Sequence, residues 1–166
     1  MVKCREQFDP KLMKISLQDF IISGELGPIR LGMSRTEVEK QLGKADDWST
    51  SHTNQQFPAI WKYGNVELHF GDDDKVEMIF LDGFRSNSDK IDLWILNDQL
   101  FAAELEDALK AKHIDYIIQS SETNQTDLLI ITVNHSIEFH FSTTDGGSQQ
   151  LSAVSQSIWH ARSAGA

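Results

Sequence analysis

The sequence predicts an α+β protein built from two tandem units, each a helix followed by antiparallel strands. Three observations support this prediction: a capped helix begins near Ser34, hydrophobic residues then alternate over residues 60–81, and a weaker copy of the pattern returns over residues 103–158. We divide the chain into an N-terminal lead-in with a short helix (1–24), a first unit (25–84), a second unit (90–160) and a tail (161–166).

Composition restricts the partners that this chain can have. With 166 residues, 40% of them hydrophobic, the chain is long enough to bury a core. Its formal charge of -10 and its pI near 4.9 argue against a nucleic-acid interface, which needs clustered Lys and Arg. Anionic membrane surfaces are disfavoured for the same reason. An acidic surface can instead steer a basic protein toward it.

Cysteine content and hydropathy predict the compartment. Cys4 is the only cysteine, so neither an intrachain disulfide nor a cysteine-based zinc site can form. Residues 1–7 carry charges where a secretory signal needs an apolar run, and no segment approaches the roughly 20 apolar residues of a membrane span. We therefore expect a soluble protein in the cytoplasm.

The helix of the first unit has unusually complete end signals. Ser34 can cap its first turn, and Glu37 lies three residues on, where its carboxylate can reach back. Val38 and Leu42 share one face, and Gly43 is placed to end the helix in a left-handed turn. A polar loop is then expected over residues 46–56.

Three strands follow in the first unit. A two-residue loop at Gly64 and Asn65 pairs Lys62 with Glu67 across a hairpin. The same register places Trp61, Tyr63, Val66, Leu68 and Phe70 on one buried face. After a turn at residues 71–75, regular alternation would put Met78 and Phe80 on this face too. Ile79 and Leu81 would then lie on the opposite face with Ile60.

The second unit repeats this pattern less clearly. Residues 103–109 match the first helix, and residues 137–141 match the second strand of the first unit. With a three-residue loop at 134–136, Leu129 and Ile131 would face the core, Ile130 would face away from it, and Thr132 would oppose Glu138. A third strand is expected within residues 151–158.

The segment Ile29-Arg30-Leu31-Gly32-Met33-Ser34-Arg35-Thr36-Glu37-Val38-Glu39-Lys40-Gln41-Leu42-Gly43 resembles the repeat of small outer-membrane assembly lipoproteins of the SmpA/OmlA type. It is also similar to the repeat of the beta-lactamase inhibitory protein. The longer string from Leu26 to Gly64 also looks like a set of small bacterial proteins that have no assigned activity and that we associate with toxin-immunity neighbourhoods. The resemblance implies helices on one side of the sheet and a continuous open sheet face on the other, which in the inhibitor binds an enzyme. No residue role carries over from it.

Two Glu-His pairs are the strongest candidates for chemistry. Glu67 with His69 and Glu138 with His140 each share a strand face away from the core, and they could form a metal or small-ligand site between the units if the strands converged. Solvated strand-face residues are the simpler interpretation. The run Asp72, Asp73 and Asp74 lacks the alternating spacing of a calcium loop. We predict no metal, no cofactor and no catalysis, since no nucleophile motif is present.

A protein-binding surface is the preferred hypothesis. Trp48 in a polar loop, together with outward-facing apolar residues and acidic groups, would suit a non-catalytic immunity protein or inhibitor that occludes its target. The predicted contact residues are Trp48, Ile60, Lys62, Glu67, His69, Asp72, Asp73, Asp74, Ile79, Leu81, Ile130, Glu138 and His140. Two alternatives stay open: a ligand or metal site between the units, and a structural module that forms homodimers through the open face.

Overall fold

The computed structural model describes residues 15–49, 59–84, 91–120 and 127–158. The helices are α1 (Leu17–Ser23), α2 (Arg35–Leu42) and α3 (Ala102–Ala111). The strands are β1 (Ile15–Ser16), β2 (Asp47–Ser49), β3 (Ile60–Tyr63), β4 (Val66–Phe70), β5 (Val76–Asp82), β6 (Ile91–Asp92), β7 (Tyr116–Ser120), β8 (Leu128–Thr132), β9 (Ile137–Thr143) and β10 (Gln149–Ser157). The predicted α+β class is confirmed. Most of the predicted lead-in, and the tail, lie outside the described residues.

Eight of the strands form one antiparallel sheet. Their order across it is β2-β3-β4-β5-β10-β9-β8-β7, and β1 pairs separately with β6 in parallel. Each half of the large sheet therefore follows one helix: α2 precedes β2 to β5, and α3 precedes β7 to β10. The halves meet where β5 pairs with β10. Descent of the halves from a sequence repeat stays a prediction.

One hydrophobic core lies between the helices and a single side of this sheet. Val38 of α2 and Leu109 of α3 belong to the same buried cluster as Leu68 of β4, Val154 of β10 and Phe139 of β9. These strand residues share one face by their pairing. The residues that alternate with them are absent from the cluster. We call the side of the sheet that faces away from the helices the open face.

The cap at the start of α2 forms as the sequence predicts. The hydroxyl of Ser34 accepts a hydrogen bond from the Glu37 amide, and the Glu37 carboxylate accepts one from the Ser34 amide at 2.8 Å. Gly43 ends the helix and its amide donates to the Glu39 carbonyl, but with φ of 78° and ψ of -164° it does not form the predicted left-handed turn. The short N-terminal helix is also confirmed, since Ser16 caps α1 and Gly24 ends it in a left-handed conformation.

The prediction that Ile79 and Leu81 face away from the core is wrong. The hairpin from β3 to β4 has the predicted register, with Lys62 opposite Glu67. In the next hairpin, however, Phe70 pairs with Val76 whereas His69 pairs with Met78. This β-bulge adds one residue to β5 and inverts the alternation beyond it. Ile79 and Leu81 therefore face the core, and Met78 and Phe80 lie on the open face.

The predicted register of the second unit is also wrong, by one residue. Ile131, not Thr132, lies opposite Glu138, and Ile130 lies opposite Phe139. The cause is a four-residue loop, closed by a hydrogen bond from the Ser136 amide to the Thr132 carbonyl. A slip of one residue exchanges the two faces of a strand. Ile130 is therefore fully buried in the core, contrary to its predicted outward position.

Two edge strands were not predicted. Residues Asp47–Ser49 form β2 within the stretch expected to be a polar loop, and Tyr116–Ser120 form β7 before the second hairpin. The first is only three residues long and polar, so it carries almost no alternating pattern. The second has Ile117 and Ile118 side by side, which is not the alternation of a half-buried strand.

Candidate protein-binding face

The open face carries a mixed set of side chains from all eight strands of the sheet. Pairing places Ile60 and Lys62 of β3 beside Glu67 and His69 of β4, and these beside Met78 and Phe80 of β5. Further members, which continue the face to its two edges, include Asp47, Asp82, Ile117, Gln119, Leu129, Ile131, Glu138, His140, Ala153, Ser155 and Ser157.

Accessibility divides this face into two regions. Along its middle and second half, Ile131, Glu138, Ala153, Ser155 and Ser157 are buried. On the first half the side chains are partly exposed. We call this accessible region, made of Ile60, Lys62, Glu67, His69, Met78 and Phe80, the β3–β5 patch.

A chain of polar contacts crosses the β3–β5 patch. The Lys62 ammonium lies 2.6 Å from one oxygen of Glu67, and the His69 imidazole lies 3.3 Å from the other. The His69 ring also meets Phe80 edge-on, with 6.4 Å between ring centroids. Apolar and charged groups are thus held side by side, as in the contact surfaces of many protein complexes.

The ion pair decides the charge state of this region. Partial burial, the largest single effect, acts to raise the pKa of Glu67, but hydrogen bonds and charge interactions with Lys62 and His69 together outweigh it and leave the pKa below its usual value. The hydrogen bond to Glu67 in turn raises the pKa of Lys62, with further support from the charges of Asp47 and Asp82. Both groups of the pair are therefore ionised at neutral pH.

The second Glu-His pair lies deeper. Glu138 is only 7% exposed, and one of its oxygens lies 3.5 Å from Nε2 of His140. The same nitrogen lies 2.9 Å from the hydroxyl of Ser155 on β10. A serine, a histidine and a carboxylate in contact suggest a hydrolase relay. In such a relay, however, the carboxylate holds Nδ1 while the serine meets Nε2. Here both contacts fall on one nitrogen, so the arrangement is not a relay.

The two Glu-His pairs do not converge. Glu67 pairs with Phe80, Phe80 with Ser155, and Ser155 with Glu138, so the two glutamates lie in one row across four strands. Three strand spacings separate them by about 14 Å. Among the residues that the structure describes, no group of three or more His, Cys, Asp or Glu side chains could hold a metal ion. A joint site between the halves is therefore not formed by these four residues.

The run of three aspartates lies at one end of the sheet, where Asp74 binds the start of α2. Asp74, with φ of 64°, forms an ion pair with Arg35 at the start of α2, and its carbonyl accepts a hydrogen bond from the Arg35 amide. The Arg35 guanidinium also lies 4.2 Å from the centre of the Phe70 ring. Asp73 lies 3.6 Å from Lys75, and Asp72 is exposed. The run is a turn, as the sequence predicts, and it does not extend the β3–β5 patch.

Trp48 is exposed, but it does not join the predicted patch. It pairs with Trp61, whose ring packs against buried Phe70 on the helix side of the sheet. Alternation therefore places Trp48 on the side opposite Ile60. The expectation of one patch containing both residues is wrong, because the loop assigned to Trp48 is in fact an edge strand.

The predicted contact residues thus separate into three groups. Six of them lie on the open face: Ile60, Lys62, Glu67, His69, Glu138 and His140. Three lie in the core: Ile79, Leu81 and Ile130. The other four lie elsewhere, with Trp48 on the helix side and the three aspartates at the turn. The sequence did not predict that Met78 and Phe80 lie on the open face. Their position depends on the bulge in β5, and no glycine or other residue in this strand signals the bulge.

Fold and site together define an α+β protein with an eight-stranded sheet, and the helices that the structure describes pack on one side of it. Within the described ranges, no helix is both long and apolar enough to cross a membrane. No family model matches the sequence, and the comparisons with curated proteins and with solved structures likewise give no match. The predicted resemblance to lipoprotein and inhibitor repeats therefore stays a prediction.

Proposed function

We propose that this chain is a non-catalytic protein-binding module that engages a basic protein through the β3–β5 patch. The observation that carries the proposal is the patch itself, in which Met78 and Phe80 lie partly exposed beside the ion pair of Lys62 and Glu67. Large apolar side chains surrounded by charged groups are typical of binding surfaces.

Charge supports a basic partner. Among the residues that the structure describes on this half of the open face, Asp47, Glu67 and Asp82 contribute three carboxylates, and Lys62 contributes one ammonium. The whole chain carries a formal charge of -10. Complementary charge speeds the encounter of two proteins and selects between partners more than it strengthens the final complex.

Occlusion is the mechanism that fits such a surface. A partner seated on the β3–β5 patch would have its own contact surface covered, which is how an immunity protein or an inhibitor blocks a toxin or an enzyme. We further propose that this happens in the cytoplasm, a reducing compartment that suits a chain with Cys4 as its only cysteine.

Affinity capture with matched variants tests the proposal. The full chain, Phe80→Lys and Val133→Lys would be immobilised and exposed to a lysate of the source organism at about 0.05 M and about 0.5 M salt. Val133 is 52% exposed in the loop between β8 and β9, so its variant makes the same chemical change away from the patch. We expect a stoichiometric basic protein on the wild type and on Val133→Lys at low salt, and its loss on Phe80→Lys. Capture that is equal on all three chains would refute the role of the patch.

A further inference from the structure

The two edges of the eight-stranded sheet differ in how they are protected. The β2 edge is three residues long and begins with Asp47. The β7 edge is five residues long, and the strand Tyr116–Ser120 contains no charged residue and no proline. Ile117 is 52% exposed and Ile118 is 47% exposed. Natural sheets usually protect such an edge with charge, proline or shortness, because its free backbone groups can pair with another strand.

The register shows which backbone groups of β7 point outward. The Val133 amide donates to the Asp115 carbonyl at 2.9 Å, so these two residues form a hydrogen-bonded pair. Hydrogen-bonded pairs recur at every second residue of an antiparallel ladder. Ile117 and Gln119 therefore bond to β8, whereas Tyr116, Ile118 and Ser120 direct their amide and carbonyl groups away from the sheet. Within the described residues no strand pairs with this outer edge.

We propose that β7 pairs antiparallel with β7 of a second copy of this chain, about a two-fold axis at Ile118. In this register Ile118 lies opposite Ile118 of the second copy, and Tyr116 lies opposite Ser120 of the second copy. In both kinds of pair the backbone amide and carbonyl groups point away from the residues' own sheet, so the two β7 strands form about six hydrogen bonds with each other. Ile117 of each copy lies opposite Gln119 of the other on the open face.

Charge favours a second copy over another occupant. Two chains with a formal charge of -10 each repel one another, so contact between them is least costly where the meeting strands are neutral. The β7 strand is such a segment, and an antiparallel edge complements itself without further adaptation. A basic partner strand would find no carboxylate within residues 116–120 to engage.

The resulting dimer is weak and independent of the proposed binding function. A single pair of five-residue strands buries less than the roughly 1,200 Å² of a standard stable interface, so association is reversible and depends on concentration. The β3–β5 patch lies toward the other end of the sheet from β7 and stays accessible in the dimer. Failure of one proposal therefore leaves the other standing.

Sedimentation equilibrium of the full chain from about 1 µM to about 1 mM tests this pairing. Ile118→Pro removes an outward amide and leaves the β8 ladder intact, because an edge strand tolerates proline where the N–H points away from the sheet. Ile118→Lys puts a charge on the edge. Ile22→Lys is the matched control, because Ile22 is 49% exposed on α1 and is not part of the sheet.

We expect the apparent mass of the wild type and of Ile22→Lys to rise from monomer toward dimer with concentration, and more so at high salt, which screens the repulsion between copies. Both Ile118 variants should dimerise at least tenfold more weakly, with unchanged circular dichroism for Ile118→Lys. A wild type that stays monomeric throughout overturns the proposal. So does a dimer that persists in Ile118→Lys, or one that dissociates at high salt.

Discussion

Ser34 shows how a single hydroxyl connects sequence to structure in this protein. It accepts a hydrogen bond from the Glu37 amide, while its own amide donates to the Glu37 carboxylate. Each bond satisfies a helix-end donor that would otherwise have no partner within the helix. This feature was predictable, because capping depends on residues three apart in the sequence. Strand exposure depends on pairing between distant residues and was not predictable in the same way.

Ser34→Ala removes one of these two bonds. We expect the free energy of unfolding to fall by about 1 kcal/mol, the usual cost of losing a helix cap. Urea denaturation monitored by circular dichroism measures the change. Thr36→Ala, in the first turn of the same helix, is the matched control and should be neutral or slightly stabilising, since alanine has the higher helix propensity. Equal losses in the two variants would contradict the capping role.

Glu67 gives the protein a defined pH dependence. Its pKa is lower in the folded chain than in the unfolded chain, so its ion pair with Lys62 stabilises the fold above the unfolded pKa, near pH 4.3, and is lost as pH falls through the folded pKa. We expect the wild type to be more stable than Glu67→Gln at about pH 6 and this advantage to shrink toward about pH 3. Urea unfolding at the two pH values measures it.

The same comparison in a Lys62→Met background serves as the control. Without the ammonium, burial of the Glu67 carboxyl is offset only by the contact with His69, so the advantage of the wild-type glutamate at the higher pH should be smaller. An advantage that is unchanged by Lys62→Met would mean that Lys62 is not the source of the low pKa.

Among the strands, the sequence predicts regular pairing correctly, but it does not predict where the pairing is irregular. The hairpin from β3 to β4 has a two-residue turn with φ of 62° at Gly64, and its register follows directly from the sequence. The bulge in β5 and the four-residue loop before β9 have no comparable signal. Each irregularity shifts the strand register by one residue. The residues predicted to lie in the core beyond it therefore lie on the open face, and those predicted for the open face lie in the core.

Ile79 and Met78 test the bulge directly. Ile79 is fully buried, so Ile79→Ala should lower the free energy of unfolding by about 2–5 kcal/mol. Met78 lies on the open face, so Met78→Ala should cost less than about 1 kcal/mol. Chemical denaturation of both variants measures the difference. The reverse order of the two costs would mean that the strand alternates without a bulge.

At the scale of the whole molecule, the two halves share one continuous hydrophobic core. Val154 on β10 is fully buried, and it pairs with Leu81 of the first half and Phe139 of the second. Core residues from both halves form one cluster, and the halves are hydrogen-bonded along β5 and β10. We infer that neither half would retain its core alone, so the described residues behave as one cooperative unit.

We expect the two halves of the protein to unfold in a single transition. Tryptophan fluorescence, to which Trp61 of the first half contributes, and far-ultraviolet circular dichroism, which reports on all strands, should give the same urea midpoint. Val154→Ala should lower both midpoints together, with a loss of about 2 kcal/mol for the two methyl groups removed. A fluorescence transition that clearly precedes the circular dichroism transition would mean that the halves unfold separately.

The row from Glu67 through Phe80 and Ser155 to Glu138 gives the open face an approximate dyad. A half turn about the midpoint of Phe80 and Ser155 exchanges the two glutamates and also carries His69 to the place of His140. A partner that binds along the strands therefore has two possible orientations, related by a half turn. The equivalent of Lys62 is Ile131, so only one pose can pair an acidic group with an ammonium. The two halves of the face differ at other places too, since the half turn carries Met78 and Phe80 to Ala153 and Ser155. In the proposed docking the orientation would therefore depend on these apolar side chains as well as on Lys62.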